Sequence, residues 1–237
     1  MIDCEVNNVL VGQIKPLGKR KVASGIDKRP VEGSATFNEV GFVQDDQGDK
    51  QAHGGPEKAI HHYPFDHYQV WEKFCQEQCG PGEYIGPDLS HPGAFGENIS
   101  TLGITEKDVC LGDVFTLGSG TVQVVQGRQP CWKLNERFGL NTMARMVQKS
   151  GMTGWYYQVL EPGQVGQGDR LQMIERPAPN WPLERVNGLL YVKTDDYEAL
   201  EELASLPFLA ASWKSLAQRR IENRRVEDWS RRLDGSG

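Results

Sequence analysis

Short stretches with β-type patterning run from residue 9 to about residue 174. They are VLVGQI (9–14), VFTLG (114–118), TVQVVQ (121–126), GWYYQVL (154–160) and DRLQMIE (169–175). Turn residues separate them, including GSG at 118–120 and EPG at 161–163. Many short strands joined by turns predict an antiparallel barrel or sandwich, so we expect a mainly β fold.

Two stretches inside this region have helical spacing instead. Residues 65–78 follow Pro64, which suits a first helical position, and repeat hydrophobic residues every three or four positions. Residues 132–149 show a second helical pattern. We expect this pattern to break at Gly139 and to end at a C-terminal cap on Gly151.

The β pattern ends at ERPAPNWP (175–182), where three prolines in eight residues indicate a linker. Three helical stretches follow, at 183–190, 195–206 and 212–225. Asp195 with Glu198 resembles a capping box at the start of the second stretch. We therefore predict a β-barrel domain over residues 1–176, with a few helices, and a small three-helix domain over residues 177–237.

Composition and charge narrow the classes of function. The 237 residues carry a formal net charge of −6, which argues against a nucleic-acid polymer as partner. The sequence contains no apolar run of about 18 residues, and its first residues lack the basic start of an export signal. Five cysteines without framework spacing fit a reducing environment. We expect a cytoplasmic protein that does not associate with membranes.

One cysteine lies in a context that favours chemistry. In QGRQPCW (126–132), Cys131 follows Pro130 directly and comes three residues after Arg128 and just before the second predicted helix. A nearby positive charge and a helix N-terminus both lower the pKa of a thiol, and the thiolate is the form that reacts or binds soft metals. The local residues leave two possibilities for Cys131, a functional thiolate or an inert buried cysteine.

Four of the five histidines lie in DDQGDKQAHGGPEKAIHHYPFDHY (45–68). Their irregular spacing disfavours a zinc site, because the adjacent His61 and His62 point to opposite faces of a strand. At most one of those two can face an interior site. His53 precedes two glycines that permit close backbone approach, so it is either presented into a cavity or an ordinary loop residue.

Two further segments carry polar residues suited to a binding site. A cationic run between residues 15 and 29, opposed only by Asp27, suits a phosphate or another anion. Its members are Lys15, Lys19, Arg20, Lys21, Lys28 and Arg29. In FGEN (95–98), Glu97 and Asn98 follow a glycine just before a predicted strand, and they either line a pocket or form a β-turn. The sequence has no G-x-x-x-x-G-K-[ST], G-x-S-x-G or C-x-x-C motif.

Four segments in order resemble the MOSC domain family, named after the C-terminal domain of molybdenum cofactor sulfurases. They are SGIDKRPVEG (24–33), GFVQDDQGDKQAHGGPEKAIHHYPFDHYQVW (41–71), FGENIS (95–100) and LGDVFTLGSGTVQVVQGRQPCWK (111–133). The resemblance covers residues from about 5 to 175 and points to the YiiM-like branch. The tail after the linker resembles the three-helix appendage of that branch, called 3-alpha.

The resemblance implies a fold, a cofactor and an activity. The family fold is a β-rich barrel, and its cofactor is molybdenum on a pterin dithiolene with a terminal phosphate (molybdopterin). The family's metal-ligating cysteine corresponds to Cys131. Members of the wider family reduce N-hydroxylated compounds to amines or amidines. The YiiM-like branch is similarly linked to N-hydroxylated purine bases such as 6-N-hydroxylaminopurine.

The implied reaction suggests roles for the other candidates. Reduction of an N–OH group consumes two electrons and two protons, so an acid near the metal would help water to leave. The candidate acids are His53, Asp45 and Glu97, with His53 first because its ordinary pKa is near 6.5. Other side chains would hold the cofactor, and Arg128 would hold the pterin or tune Cys131. The expected cofactor-binding residues are Lys28, Arg29, Arg128 and Asn98.

The source of electrons and two alternative functions stay open. The sequence has no flavin, haem or iron–sulfur ligand pattern, so we expect a partner reductase as donor. Residues 210–237 carry seven basic and four acidic residues and suit a docking surface. One alternative is a carrier of sulfur or cofactor with a persulfide on Cys131. The other is a ligand-binding module without catalysis. The sequence does not define the oligomeric state.

Overall fold

The computed structural model describes residues 2–46, 48, 54–80 and 82–235. Within these ranges the chain forms fourteen strands, seven α-helices and two single-turn 3-10 helices. No helix in the described ranges is long and apolar enough to cross a membrane.

Nine strands form one sheet that curls into a half-barrel. In spatial order they are β1 (Asp3–Glu5), β14 (Arg170–Glu175), β10 (Val114–Leu117), β11 (Gly120–Gly127), β12 (Trp155–Glu161), β8 (Ile60–His62), β9 (Ile99–Ser100), β2 (Asn8–Gly12) and β5 (Lys28–Pro30). Neighbouring strands are antiparallel except β8 and β9, which pair in parallel through His62 and Ile99. The mainly β, barrel-type fold predicted from the sequence is confirmed.

Two smaller sheets complete the β structure. One contains β13 (Gly163–Gly166), β6 (Ser34–Asn38) and β7 (Gly41–Phe42), in that order. The other is the hairpin of β3 (Lys15–Leu17) and β4 (Val22–Ser24). The five stretches predicted as strands all lie in the nine-stranded sheet, as β2, β10, β11, β12 and β14, whereas the strands of the two smaller sheets were not predicted.

A β-bulge in β11 sets the direction of the chain as it approaches Cys131. Along β11, Val122 and Val124 are buried and pair with β12, as hydrophobic alternation requires. The register then shifts between Val124 and Gln126, which leaves Val125 without a partner in β12. Because a bulge turns the side chains that follow it, Gln126 and Arg128 are both directed to the interior.

The helices inside the β region lie where the sequence predicts them. They are α1 (Tyr68–Cys79), α2 (Lys133–Phe138) and α3 (Met143–Ser150). Gly139 ends α2 with φ 67° and Gly151 ends α3 with φ 75°. Glycine adopts this left-handed conformation without strain, so the expected break and C-terminal cap are both confirmed.

Three helices follow the proline-rich linker, as predicted. They are α4 (Leu183–Tyr191), α5 (Tyr197–Ser205) and α6 (Ala211–Asn223). The predicted capping box at Asp195 is wrong by one residue. Asp196 precedes α5 directly, and its Oδ1 accepts the backbone N–H of Ala199 at 3.1 Å. A capping side chain must flank the first turn to reach that amide, and Asp195 lies one residue too early.

A fourth C-terminal helix, α7 (Ser230–Asp234), was not predicted. Leu233 on α7 is 1% exposed and packs into a hydrophobic cluster with α1, α2 and α3. The other three C-terminal helices share a second cluster with the half-barrel. Members of that cluster include Phe115, Tyr157, Leu190, Leu200 and Trp213.

Candidate functional site

Cys131 lies where two clefts meet. The inner cleft has a volume of about 600 Å³ including its mouth, and the outer cleft has about 1310 Å³. Cys131 lines both clefts, together with Lys58, Lys133 and Tyr156. The cysteine is half-buried, and α2 begins two residues after it, as the sequence predicts. A thiol at this junction is accessible from two sides.

Arg128 is a buried cation of the inner cleft. Its side chain is only 6% exposed, and its backbone N–H donates to Gly154 O at 2.9 Å. Within the described residues, Nη1 of Arg128 has no hydrogen-bond partner. An unpaired buried donor is energetically costly, so this nitrogen is suited to an acceptor group on a ligand.

Among the described histidines, His61 lines the inner cleft. Its ring lies 4.9 Å from the ring of Tyr156, and its Nε2 has no hydrogen-bond partner among the described residues. Burial and, to a smaller extent, the charge of Arg128 hold the pKa of His61 well below 6.5. The imidazole is therefore neutral at physiological pH.

His62 points to the opposite face, as expected for adjacent strand residues. Its Nδ1 lies 2.9 Å from Tyr157 Oη and its Nε2 lies 2.8 Å from Thr101 Oγ1. Burial lowers the pKa of His62 to about 3. Its hydrogen bonds are complete without a ligand, so its role is structural.

Three predicted residues from distant segments meet beside the inner cleft. Lys28 donates a short hydrogen bond to Asp45, and Asn98 Nδ2 donates to the same carboxylate at 2.9 Å. The other carboxylate oxygen accepts the backbone N–H of Gly12 at 2.7 Å. Burial lowers the pKa of Lys28, and the charge of Asp45 opposes that effect. Lys28 and Asn98 line the inner cleft, whereas Asp45 supports them from behind.

Glu97 is not among the described residues that line either cleft. The side chain is fully buried and accepts hydrogen bonds from Tyr68 Oη, from Gly93 N at 2.7 Å and from Phe95 N at 3.1 Å. Burial raises the pKa of Glu97, and these hydrogen bonds oppose that effect. The hydrogen bonds of this carboxylate stabilise the turn that places Gly96 and Asn98 at the inner cleft.

The structure does not bring Arg29 to the inner cleft. Its side chain is 74% exposed and pairs with Asp27 at 3.3 Å, while Arg137 holds the same carboxylate at 2.7 Å. Of the predicted cationic run, only Lys28 lines the inner cleft in the described part of the chain. The prediction for His53 concerns a residue outside the described ranges.

Several residues that line the two clefts were not among the predicted site residues. They include Lys58, His61, Lys133, Tyr156 and Arg232. Lys133 is only two residues from Cys131 in the sequence, so the sequence alone could have suggested it as a site residue. Tyr156 on β12 pairs with His61 of β8 on one side and with Gln126 of β11 on the other. Only the strand register shows these neighbours. Among the described residues, no group of three or more His, Cys, Asp or Glu side chains is arranged to hold a metal ion.

Comparison with known families matches both parts of the chain. The MOSC domain matches residues 49–172, and the YiiM-like, 3-alpha helix domain matches residues 181–224. The chain therefore belongs to the MOSC domain family. The precise domain limits of 1–176 and 177–237 stay a prediction.

Relatives match most of the chain in sequence, and a solved structure matches it in fold. Protein YiiM of Escherichia coli (strain K12) is 36% identical over 228 residues, which are 96% of this chain and 97% of that protein. The crystal structure of YiiM from Geobacillus stearothermophilus has a TM-score of 0.74 and 34% identity, covering 92% of this chain and 98% of that chain. A protein named Reductase from Gibberella moniliformis (strain M3125 / FGSC 7600) is 32% identical over 188 residues, which are 79% of this chain and 32% of that protein.

Proposed function

We propose that the protein is an oxidoreductase that uses a molybdenum cofactor, with Cys131 as metal ligand, to reduce N-hydroxylated compounds such as 6-N-hydroxylaminopurine to amines. The observation that carries the proposal is the position of Cys131 between a small cationic cleft and a larger one. Membership of the MOSC domain family and the relative named Reductase support this class of chemistry.

The residues of the inner cleft fit a phosphorylated pterin dithiolene. Its described lining contains four cationic side chains and one carboxylate, Asp46. The cations are Lys28, Lys58, Arg128 and Lys133. Buried Arg128 Nη1 and His61 Nε2 offer one donor and one acceptor that lack protein partners within the described ranges. These groups suit a ligand with an anionic end and a polar ring, and Cys131 supplies a soft sulfur ligand.

The chain's residues would supply the protons that the reaction requires. Reduction of R–NHOH to R–NH2 and water takes up two electrons and two protons, and the bound cofactor would supply the electrons. Tyr156 lines both clefts beside Cys131. Burial raises the pKa of Tyr156 and Arg128 only partly offsets this, so the phenol remains protonated and able to donate.

Tyr156 suits the acid role better than two of the predicted acids. Asp45 already binds Lys28, Asn98 and the Gly12 amide, and Glu97 is enclosed away from both clefts. Proton donation requires a group that reaches the substrate directly or through one water. His53 stays a prediction.

The electron donor in this proposal is a separate reductase in the cytoplasm. The chain covers 32% of the fungal relative named Reductase, so that protein has additional sequence beyond the shared part. The exposed basic residues of the C-terminal helices are the proposed docking surface. The substrate is a small molecule that enters through the outer cleft.

A turnover assay tests the proposal. The protein is purified from cells that make the molybdenum cofactor, reduced methyl viologen replaces the natural donor, and adenine formed from 6-N-hydroxylaminopurine is measured by chromatography. We expect turnover by the wild type, loss of turnover in Cys131→Ala, and retention in the control Cys79→Ala. Molybdenum-loaded wild type that releases no adenine would contradict the proposal.

A further inference from the structure

The helix α7 holds the Cys131 loop from both sides. The guanidinium of Arg232 donates a short hydrogen bond to the carbonyl of Pro130. The backbone carbonyl of Arg232 accepts the N–H of Trp132 at 2.7 Å. One residue of α7 therefore binds the residue before Cys131 and the residue after it.

Other contacts fix α7 in this position. The amide Nδ2 of Asn135 donates to Leu233 O at 2.8 Å. Arg145 pairs with Asp234 through contacts of 3.0 and 2.5 Å. These contacts tie α7 to α2 and α3, the two helices that follow Cys131. This segment lies after residue 224, where the match to the YiiM-like, 3-alpha helix domain ends.

Arg232 also brings a positive charge to the cysteine. Its Nη2 donates to Gln148 Oε1 at 2.5 Å, and both Arg232 and Cys131 line the outer cleft. Burial lowers the pKa of Arg232, whereas the neighbouring Tyr191, Cys131 and Glu227 raise it. A guanidinium keeps its charge under such opposing influences, so Arg232 is a cation of the cleft that Cys131 also lines.

We propose that Arg232 is a positioning residue for Cys131, which fixes the cysteine loop through Pro130 and Trp132 and places a permanent positive charge beside the sulfur. The use of this arrangement in metal binding rests on the proposed function. The arrangement itself is a property of the chain and is testable without the cofactor.

The test compares an anionic with a neutral alkylating reagent at a single pH. Full-length protein from cells that cannot make the pterin cofactor reacts with iodoacetate or iodoacetamide, and modification of the tryptic peptide QPCWK, which contains Cys131, is measured by mass spectrometry. A cation beside the sulfur attracts the anionic reagent. We expect Arg232→Gln to lower the iodoacetate-to-iodoacetamide rate ratio by at least about threefold.

The control is Arg145→Gln, which removes the ion pair with Asp234 of α7 but no charge next to the cysteine. Its ratio should stay within about twofold of the wild type. An unchanged ratio in Arg232→Gln, or an equal fall in Arg145→Gln, would overturn the proposal. If Arg232→Gln does not fold, Arg232→Met replaces it, because methionine keeps an aliphatic side chain and removes the charge. The ratio should then fall by at least about threefold in Arg232→Met, and an unchanged ratio would contradict the proposal. Because no turnover is measured, failure here is distinct from failure of the proposed reductase activity.

Discussion

The side chains around Cys131 come from three neighbouring strands that meet at its loop. Arg128 follows the bulged end of β11, Tyr156 is on β12, and His61 is on β8. Each of the three is held by the sheet before any ligand binds. Their polar groups are therefore preorganised, which reduces the cost of ordering them around a cofactor.

Tyr156→Phe tests the proposed proton donor. The substitution removes one hydroxyl and keeps the ring that packs against His61, so molybdenum content should be retained. We expect kcat to fall by about 10²-fold or more, the range typical of lost general acid catalysis. Steady-state assays with the reductant in excess measure this. Wild-type kcat in Tyr156→Phe would exclude the role, and Tyr197→Phe, on the C-terminal helices, is the control.

His62→Gln tests the structural histidine through pH. Folded His62 has a pKa of about 3, whereas an unfolded histidine titrates near 6.5. Below pH 6.5 the unfolded chain takes up a proton that the folded chain does not, so His62 destabilises the wild type as pH falls toward 3. Between pH 7.5 and 5 the stability advantage of wild type over His62→Gln should shrink by about 2 kcal/mol.

Urea unfolding at the two pH values measures this change. The exposed Asn180→Ala changes no titratable group and is the control, because its stability difference from wild type should be the same at both pH values. An equal difference between wild type and His62→Gln at pH 7.5 and pH 5 would show that His62 is not held neutral.

Local patterning predicted the elements, but it did not predict which elements meet. The strands over 114–117, 120–127 and 155–161 follow from hydrophobic alternation and turn residues that the sequence displays. The cluster of Lys28, Asp45 and Asn98 depends on the pairing of distant strands, which a single sequence does not encode locally. The cationic run therefore suggested Arg29 as readily as Lys28, although only Lys28 is directed inward.

The sequence did not predict the helix α7, for a related reason. Its five residues are too few to show a helical period, and an isolated helix of that length is not stable in water. Packing of Leu233 and the contacts of Arg232 stabilise it instead. Its position over Cys131 is a tertiary feature and is visible only in the folded chain.

Asn135→Ala tests how firmly α2, α3 and α7 are joined. The buried Asn135 accepts the N–H of Ala144 at 2.8 Å and donates to Leu233 O at 2.8 Å. Alanine leaves both groups unsatisfied, so we expect a loss of about 2–4 kcal/mol in the free energy of unfolding. Urea denaturation measures it. The exposed Asn180→Ala should cost less than about 0.5 kcal/mol, and an equally small cost for Asn135→Ala would contradict the account.

The half-barrel and the C-terminal helices share one hydrophobic core across the predicted domain boundary. Trp213 on α6 is 1% exposed and packs against the strand β11 beside Gly127, where an added Cβ would lie 3.1 Å from the indole. The C-terminal helices therefore support the strand that leads into the Cys131 loop. We expect the two parts to unfold together.

Trp213→Ala tests this coupling. Removing a buried tryptophan should cost about 3–5 kcal/mol, and the unfolding transitions seen by circular dichroism and by fluorescence should shift together. Val192→Ala, at a 70% exposed position, is the control and should have little effect. Separate transitions, with only the helical signal shifted, would show that the two parts are energetically independent.

The most direct test of the central claim is the molybdenum content of the purified protein. Wild type and Cys131→Ala are expressed in cells that make the cofactor, with Cys79→Ala as control, and the metal is measured by inductively coupled plasma mass spectrometry. We expect stoichiometric molybdenum in wild type and Cys79→Ala and its loss in Cys131→Ala. Wild type without molybdenum, or Cys131→Ala with the full amount, would contradict the assignment of Cys131 as the metal ligand.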